Sequence, residues 1–226
     1  MATRSPSREI FTSTRGSSTK IKPINFDGAL KELFEHDRPG LLDRLIGGIK
    51  IRSFLNVELP KVVARRVDLA MMLENDTAFH LELQGKNEKL MVYRMGLYSI
   101  LLGQTIPWKR VRGVVLYVGE AKMSMRREFK LGLTHLGYEL IDIREIDADA
   151  LIASESPGDN VLALLAGGGS QKIKEIVERL GRLKDPERSH ALAQLELLAG
   201  LRGMAKEIQL EVGCMAILLM STRIRS

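Results

Sequence analysis

Residues 62–85 read VVARRVDLAMMLENDTAFHLELQG, and this stretch decides the fold. Up to residue 73 its apolar side chains recur every second residue, which predicts a strand buried on at least one face. That face carries Val63, Val67, Leu69, Met71 and Leu73, which alternate with Ala64, Arg66, Asp68, Ala70 and Met72. Residues 74–76 (END) supply a turn. A second strand follows and ends at Gly85; Phe79, Leu81 and Leu83 point one way, and His80, Glu82 and Gln84 the other.

The position of the turn predicts which residues of this hairpin face each other. If the turn centres on Asn75, residues whose numbers sum to 150 are opposed, and Asp68 lies directly across from Glu82. Opposed side chains on one face have β-carbons ~5 Å apart. Two carboxylates so placed are within reach of one Mg²⁺, which takes oxygen ligands at ~2.1 Å. Gln84 lies two residues further along the same face.

Two other interpretations of this acidic pair remain open. Asp68 and Glu82 can form a solvated polar face that Arg66 neutralises, because structural charge clusters are common. A shift of one residue in the pairing would place the two acids on adjacent rather than opposed positions. The apolar flanks favour a site, since burying two acids is costly unless a metal or a partner compensates them.

Helices are predicted on both sides of the hairpin. The first begins near Phe26 with Asp27 as its cap, and its apolar face carries Leu30, Leu33 and Phe34. A second helix, from Pro39 to Ile46, ends at Gly47-Gly48. After the hairpin, residues 89–102 show helical spacing up to Gly103 and Pro107; the apolar positions used for this prediction are Leu90, Tyr93, Leu97 and Leu101.

The next segments predict a parallel pair of strands. Residues 111–118 form a strongly apolar strand, residues 123–136 a basic helix, and residues 138–143 another strand. A strand–helix–strand unit of this length favours a right-handed crossover between parallel strands. The expected fold class is therefore α/β, with a small mixed sheet flanked by helices.

Composition divides the chain into four regions. Residues 1–25 are expected to be a disordered basic tail, residues 26–150 the domain that contains the sheet, residues 151–170 a linker, and residues 171–226 a helical C-terminal region. The linker prediction rests on Ser, Pro and Gly between Ala153 and Ser170. Of the later helices, one carries Ile173, Ile176, Val177 and Leu180. The other opens at Asp185-Pro186 and runs through Leu192, Leu195 and Leu198.

Charge and composition limit the classes of function. The chain has a net charge of +6, but residues 1–22 carry +4 of it, so basicity alone argues only weakly for nucleic acid. No apolar run reaches the ~18 residues that span a bilayer, so no membrane partner is expected. The lone Cys214 excludes an intramolecular disulfide and a Cys-rich zinc site, and a cytoplasmic location fits best.

Four segments, in order, resemble a known family. Residues 27–34 (DGALKELF) look like the opening D-x-x-(F/L)-K-x-L-F of transposase-like PD-(D/E)xK nucleases. Residues 66–69 (RVDL) resemble their first metal-binding strand. Residues 79–84 (FHLELQ) are similar to their hxhExQ strand, and residues 93–98 (YRMGLY) to the x-R-M-x-x-Y helix that follows. The resemblance covers about residues 26–145 and lies in the recombination-promoting nuclease or transposase branch.

The resemblance implies a restriction-endonuclease-like core and a set of roles. Asp68 and Glu82 would bind Mg²⁺ or Mn²⁺, and Gln84 takes the place of the superfamily's lysine. Glutamine can orient water or phosphate but supplies no positive charge. Asp27 or Glu32 would complete the metal shell. Arg94 and Tyr98, four positions apart on one helical face, are candidates for phosphate contact. The alternative is a surface Arg and a half-buried Tyr. His80 is expected to be a satisfied polar residue beside the site.

The function expected from this resemblance is Mg²⁺-dependent DNA hydrolysis associated with transposition or recombination. The alternative is a catalytically degenerate nuclease fold that binds DNA or a protein partner, and an RNA substrate would use the same metal site. Residues 198–203 resemble the family's helical tail, whereas residues 213–226 depart from it. The Leu-rich C-terminal helices permit a homo-oligomer, although such helices more often pack on their own core.

Overall fold

The computed structural model of the chain describes residues 26–55, 68–105 and 110–223. The predicted tail at residues 1–25, the start of the first predicted strand at residues 62–67, and Pro107 lie outside the described residues. So does the side chain of Asp27. Within the described part, no helix combines the length and the apolar character needed to cross a membrane.

The strands of the described chain all lie before residue 143, with helices before and between them, and helices follow. The elements are α1 (Phe26–Glu32), a π-helical turn (Leu33–Asp37), α2 (Gly40–Ile46), β1 (Ile51–Phe54), β2 (Leu69–Leu73), β3 (Thr77–Gln84), α3 (Met91–Thr105), β4 (Arg110–Tyr117), β5 (Glu128–Leu131), β6 (Thr134–Gly137), β7 (Glu139–Asp142), α4 (Ala148–Ile152), α5 (Pro157–Leu162), α6 (Ile173–Gly181), α7 (Glu187–Ala199) and α8 (Ala205–Arg223).

The main sheet is mixed and has the strand order β1-β2-β3-β4-β7. The β1–β2 and β2–β3 pairs are antiparallel, and the β3–β4 and β4–β7 pairs are parallel. Helix α3 connects the parallel strands β3 and β4, which need a long crossover because a tight turn cannot join parallel neighbours. The predicted α/β class, a small mixed sheet flanked by helices with further helices after it, is confirmed. Strand β1 was not predicted.

The β2–β3 hairpin has the register expected from its turn. Leu69 pairs with Leu81 and Met71 with Phe79, so paired residue numbers sum to 150. The turn places Asp76 at a positive φ of 62°, and the backbone N–H of Thr77 donates to Asn75 Oδ1 at 3.2 Å. Asn and Asp suit such a turn because their short polar side chains bond nearby backbone and tolerate the left-handed region.

Helices cover both faces of the hairpin. Phe79, Leu81 and Leu83 of β3 lie in a large apolar cluster with side chains of α1, α2 and the C-terminal helices. The opposite face of the hairpin contributes Ala70, which packs with Tyr98 and Leu102 of α3. His80 and Glu82, on this second face, are therefore buried between a sheet and a helix, where each needs a partner.

Helix α3 overlaps the helix predicted at residues 89–102 but continues through Gly103 to Thr105, and a different set of side chains faces the core. Leu90 and Tyr93 are 63% and 46% exposed, so the predicted apolar face is wrong. The buried residues of the helix are Met91, Val92, Met95, Gly96, Tyr98 and Leu102. Since apolar residues lie all around this helix, spacing alone could not select the buried face, and the sheet selects it instead.

The basic helix predicted at residues 123–136 is wrong, because this segment forms the antiparallel hairpin β5–β6. Gly132 lies between the two strands at a φ of +56°, a conformation that glycine adopts at no steric cost. A glycine inside a helix costs ~1 kcal/mol relative to alanine, which adds to the preference for the hairpin. The predicted parallel pairing of the flanking strands β4 and β7 is nevertheless confirmed.

The linker predicted at residues 151–170 is wrong as a description of that segment. It contains α5 and a 3₁₀ turn, and residues 161–166 are 0–6% exposed within the main apolar cluster. Its glycines permit close packing, because a Cβ on Gly169 would lie 1.9 Å from the carbonyl oxygen of Ala163. The small residues that suggested a loop are therefore needed for tight backbone contacts.

The remaining helix predictions are confirmed for most of their apolar side chains. Those found buried are Leu30, Leu33, Phe34, Leu41, Leu42, Leu45, Ile46, Ile176, Val177, Leu180, Leu195 and Leu198, whereas Ile173 and Leu192 are partly buried. Leu33 and Phe34 lie in the π-helical turn that follows α1. Helix α1 already includes Phe26, so Asp27 lies inside its first turn and is not its cap. Pro186 precedes α7, which starts at Glu187.

Candidate functional site

The structure brings the carboxyl groups of Asp68 and Glu82 together. Asp68 directly precedes β2, and the hairpin register extends to set it opposite Glu82 of β3. The backbone N–H of Asp68 donates to Glu82 Oε1 at 3.3 Å, and the N–H of Leu83 donates to Asp68 Oδ2 at 3.0 Å. Each carboxylate thus bonds the backbone of the opposing strand, which holds both at one end of the hairpin.

Glu82 is buried, and polar neighbours compensate its charge. It is 2% exposed, yet Arg94 Nη2 donates to its Oε2 at 2.6 Å. His80 Nε2 lies 3.1 Å from its Oε1. A buried carboxylate is costly without such donors, and charge-assisted hydrogen bonds are stronger than neutral ones. These hydrogen bonds therefore compensate the burial of the Glu82 carboxyl group.

Arg94 connects Glu82 with a second carboxylate. Its Nη1 donates to Glu88 Oε2 at 2.6 Å, while its Nη2 bonds Glu82. We call Asp68, Glu82, Glu88 and Arg94 the acidic cluster, in which Arg94 bonds two of the three carboxylates. The side chain of Arg94 is mostly buried in this position. Its role in phosphate binding stays a prediction, and in the structure it donates to the carboxylates of Glu82 and Glu88.

His80 lies fully buried beside the carboxylate pair. Its ring makes an edge contact with Tyr98 at a centroid distance of 5.2 Å. If Nε2 carries the proton and donates to ionised Glu82, Nδ1 is left as an acceptor. Nδ1 has no hydrogen-bond partner within the described part of the chain. His80 was expected to be a satisfied polar residue, and at this one atom it is not.

The other predicted site residues lie in different surroundings. Gln84 ends β3, partly exposed, on the same side of the strand as Glu82 by alternation. Tyr98 is 1% exposed, so its ring presents no surface to a phosphate in this conformation. Glu32 is exposed at the end of α1 and lines a surface depression with Glu35 and His36.

Two residues of this neighbourhood were not predicted from the sequence. Glu88 precedes α3 and is six positions from Arg94, a separation that no helix or strand periodicity marks as a contact. Tyr138 lies near the same group, and burial raises the pKa of its phenol to about 12, with Arg94 and Arg127 opposing the shift and Glu88 adding to it. Its hydroxyl therefore keeps its proton near neutral pH and donates to the carbonyl of Arg126 at 2.6 Å.

The chemistry of the donors suits a hard divalent cation. Carboxylate oxygens are preferred ligands of Mg²⁺, which usually takes one or two carboxylates and completes its shell with water and substrate phosphate. In the ranges 26–55, 68–105 and 110–223, no group of three or more His, Cys, Asp or Glu side chains is arranged to hold a metal. Asp68 and Glu82 fit a two-carboxylate site, but a cation on Glu82 must share it with Arg94 and His80.

Comparison with known proteins adds no name to this arrangement. The chain matches no protein-family model, no curated protein sequence and no solved structure. The family resemblance therefore rests on the four sequence segments alone.

Proposed function

We propose that the protein is a divalent-metal-dependent endonuclease that hydrolyses phosphodiester bonds in DNA, in the context of transposition or recombination. The observation that carries the proposal is the juxtaposition of Asp68 and Glu82 by the β2–β3 hairpin. The four segments that resemble PD-(D/E)xK nucleases support it, since the two acids occupy the metal-binding positions of that pattern.

Each residue of the site has a defined task in this reaction. Asp68 and Glu82 would hold Mg²⁺ or Mn²⁺ by their carboxylate oxygens. The bound cation would supply an activated water and stabilise charge that develops on the phosphate. Gln84 can orient water or a phosphate oxygen through its amide, but cannot neutralise charge as lysine does. Arg94 holds Glu82 in place through one Nη while it bonds Glu88 through the other.

A plasmid-nicking assay tests the proposal. Purified protein is incubated with supercoiled DNA in Mg²⁺, in Mn²⁺ or in EDTA, beside the variants Asp68→Asn and Glu82→Gln, which remove charge but keep size. We expect cation-dependent nicking that either substitution slows by roughly 100-fold or more, because a metal contributes several kcal/mol to the transition state. Parallel reactions on single-stranded DNA and RNA separate the substrates.

The matched control is Glu139→Gln. Glu139 is an exposed carboxylate that bonds an arginine, Arg112, on the neighbouring strand, and its loss should leave nicking unchanged. Circular dichroism establishes that each variant is folded. If Asp68→Asn and Glu82→Gln nick DNA at the rate of the unaltered protein, the carboxylate pair is not a catalytic metal site.

A specific observation favours a second candidate, the catalytically degenerate fold that binds DNA or a protein. One oxygen of Glu82 already accepts from Arg94, the other lies 3.1 Å from His80 Nε2, and Gln84 stands where the superfamily has lysine. In this case Arg94 takes the place of the cation. Calorimetric titration with Mg²⁺ and Mn²⁺ discriminates the two functions, because a degenerate fold takes up neither cation while it keeps its affinity for its partner.

A further inference from the structure

The hairpin that replaces the predicted basic helix concentrates positive charge on the surface. We define the basic hairpin as residues 122–137, which contain β5 and β6 and connect β4 to β7. Four cationic side chains in it are exposed: Lys122, Arg126, Arg127 and Lys130. The acidic residue of the segment, Glu128, bonds His135 on the opposing strand at 2.9 Å.

The charge of the rest of the protein makes this segment stand out. Residues 122–137 have four lysines and arginines against one glutamate, a net charge of +3. The whole chain carries +6, and residues 1–22 carry +4, so all other residues together carry −1. The basic hairpin therefore has a net positive charge, whereas the residues outside it and outside residues 1–22 have, in sum, none.

The tip of the basic hairpin is apolar and exposed. Leu131 and Leu133 flank Gly132 and are 67% and 107% exposed. Adjacent exposed leucines on a projecting turn suit a surface that is covered when a partner binds. The combination of a cationic stem and an apolar tip recurs in proteins that contact nucleic-acid phosphates and insert apolar side chains into a groove.

The basic hairpin lies beside the carboxylate site. Phe129 packs on Tyr93 of α3 with a ring-centroid distance of 4.5 Å. Tyr93 is the neighbour of Arg94, which bonds Glu82 and Glu88. At the base of the hairpin, Tyr138 is close enough to both Arg127 and Arg94 for their charges to act on its phenol. The cationic stem and the acidic cluster therefore meet across the start of α3.

This placement answers an electrostatic requirement of the proposed function. Carboxylates such as those of the acidic cluster repel a phosphodiester backbone unless a cation lies between them. A DNA strand stays near these carboxylates if positive charge beside them binds its phosphates. The basic hairpin supplies that charge at the required position, and a polyanion complements its net +3 better than a neutral protein surface would.

We propose that the basic hairpin is a DNA-binding arm, in which Arg126, Arg127 and Lys130 contact the phosphates of a duplex and Leu133 packs into its groove. The proposal rests on the proposed function in taking DNA as the polyanion, but the binding itself needs no metal and no cleavage. The arm is a binding surface outside the β2–β3 hairpin, which carries Asp68 and Glu82.

Equilibrium binding at several salt concentrations tests the arm. The probe is a fluorescent DNA duplex of about 20 base pairs, titrated with full-length protein in EDTA at KCl concentrations from about 50 to 200 mM and followed by anisotropy. The test variant replaces Arg126, Arg127 and Lys130 by glutamine. The control variant replaces Lys174, Lys184 and Lys206, three exposed lysines of the C-terminal helical region, by glutamine and so removes the same charge.

The arm predicts different results for the two triple variants. The slope of log K against log salt is negative, and each lost phosphate contact makes it less steep by ~0.9. In the test variant the slope should therefore become less steep by ~2.7, and the affinity near 0.1 M salt should fall on the order of 100-fold. The control variant should keep most of both. Leu133→Ser should weaken binding without a change of slope, because an apolar contact releases no counterions.

Several outcomes would overturn the arm without touching the nuclease proposal. An unchanged slope and affinity in the test variant, or an equal loss in the control variant, excludes the basic hairpin as the phosphate-binding surface even if Mg²⁺-dependent nicking is normal. Binding to phosphatidylserine vesicles that is lost in the test variant while duplex binding is kept would assign the charge to membranes instead. Conversely, hairpin-dependent binding without nicking leaves the arm standing and removes the nuclease.

Discussion

Replacing Arg94 by methionine tests whether Glu82 depends on one guanidinium for its burial. The substitution keeps an apolar stem and removes both donors, one to Glu82 and one to Glu88. The Glu82 side chain is 3% exposed, whereas that of Glu88 is 30% exposed. Removing one partner of a buried ion pair costs ~3–5 kcal/mol, and a partly exposed pair contributes about 1 kcal/mol or less. We expect the free energy of unfolding to fall by roughly 3–5 kcal/mol.

A second substitution shows how much of the lost stability comes from leaving the charge of Glu82 buried without a partner. In the Arg94→Met background, Glu82→Gln removes the buried charge that has lost its partner, so it should restore about 2 kcal/mol rather than add damage. Urea titration measures each variant, and the m-value must stay constant for the comparison to hold. Arg112→Met is the control, because its fork of bonds to Glu139 is on the surface and should be worth about 1 kcal/mol.

The same variants report on the metal. If Arg94 competes with a cation for Glu82, Arg94→Met should be stabilised by Mg²⁺ more than the unaltered protein is, since at a given Mg²⁺ concentration a ligand of the folded state stabilises it more when it binds more tightly. A loss below about 1 kcal/mol in Arg94→Met, or further destabilisation by Glu82→Gln in that background, would refute the account of Glu82 as a buried charge held by Arg94.

Two further predictions concern the rest of the fold. Gly169→Ala should destabilise the fold by about 1–3 kcal/mol, because the added Cβ would lie 1.9 Å from the carbonyl oxygen of Ala163. Gly213→Ala should be neutral or slightly stabilising, because Gly213 lies in α8 with open space around it. Thermal unfolding measures both variants. For Asp142, burial raises the carboxyl pKa but the hydrogen bonds from Arg144 outweigh it, so the pKa is lowered from 3.8 and the group stabilises the fold above that pH. The difference in free energy of unfolding between the unaltered protein and Asp142→Asn, measured by urea titration, should therefore become smaller as the pH falls below 3.8. A difference that stays constant in acid would contradict this prediction.

The hairpin that carries the candidate site could be predicted because its determinants are local. The alternation of side chains around Leu69 and Leu81 specifies which residues share a face, and Asn75 marks the centre of the turn. Register then follows, since a slip of one residue would turn the apolar set away from the core. This local information was enough to place Asp68 opposite Glu82.

Regions where the local pattern was ambiguous were predicted wrongly. The segment around Gly132 has helical spacing of basic and apolar residues, yet it pairs as strands and packs Phe129 on α3. The glycines near Gly169 suggested a loop, but they allow backbone segments to approach in the core. In both places the outcome depends on what lies across from the segment, which composition does not specify.

The sequence by itself determined the β2–β3 hairpin, its register and the alternation of its faces, because neighbours along the chain set turn geometry and strand period. Only the tertiary structure decided that α3 covers the second face of the hairpin, that Arg94 joins Glu82 to Glu88, and that the basic hairpin lies beside them. These contacts join residues with no periodic relation. They form because a buried carboxylate needs a partner, and packing decides which side chain is close enough to be that partner.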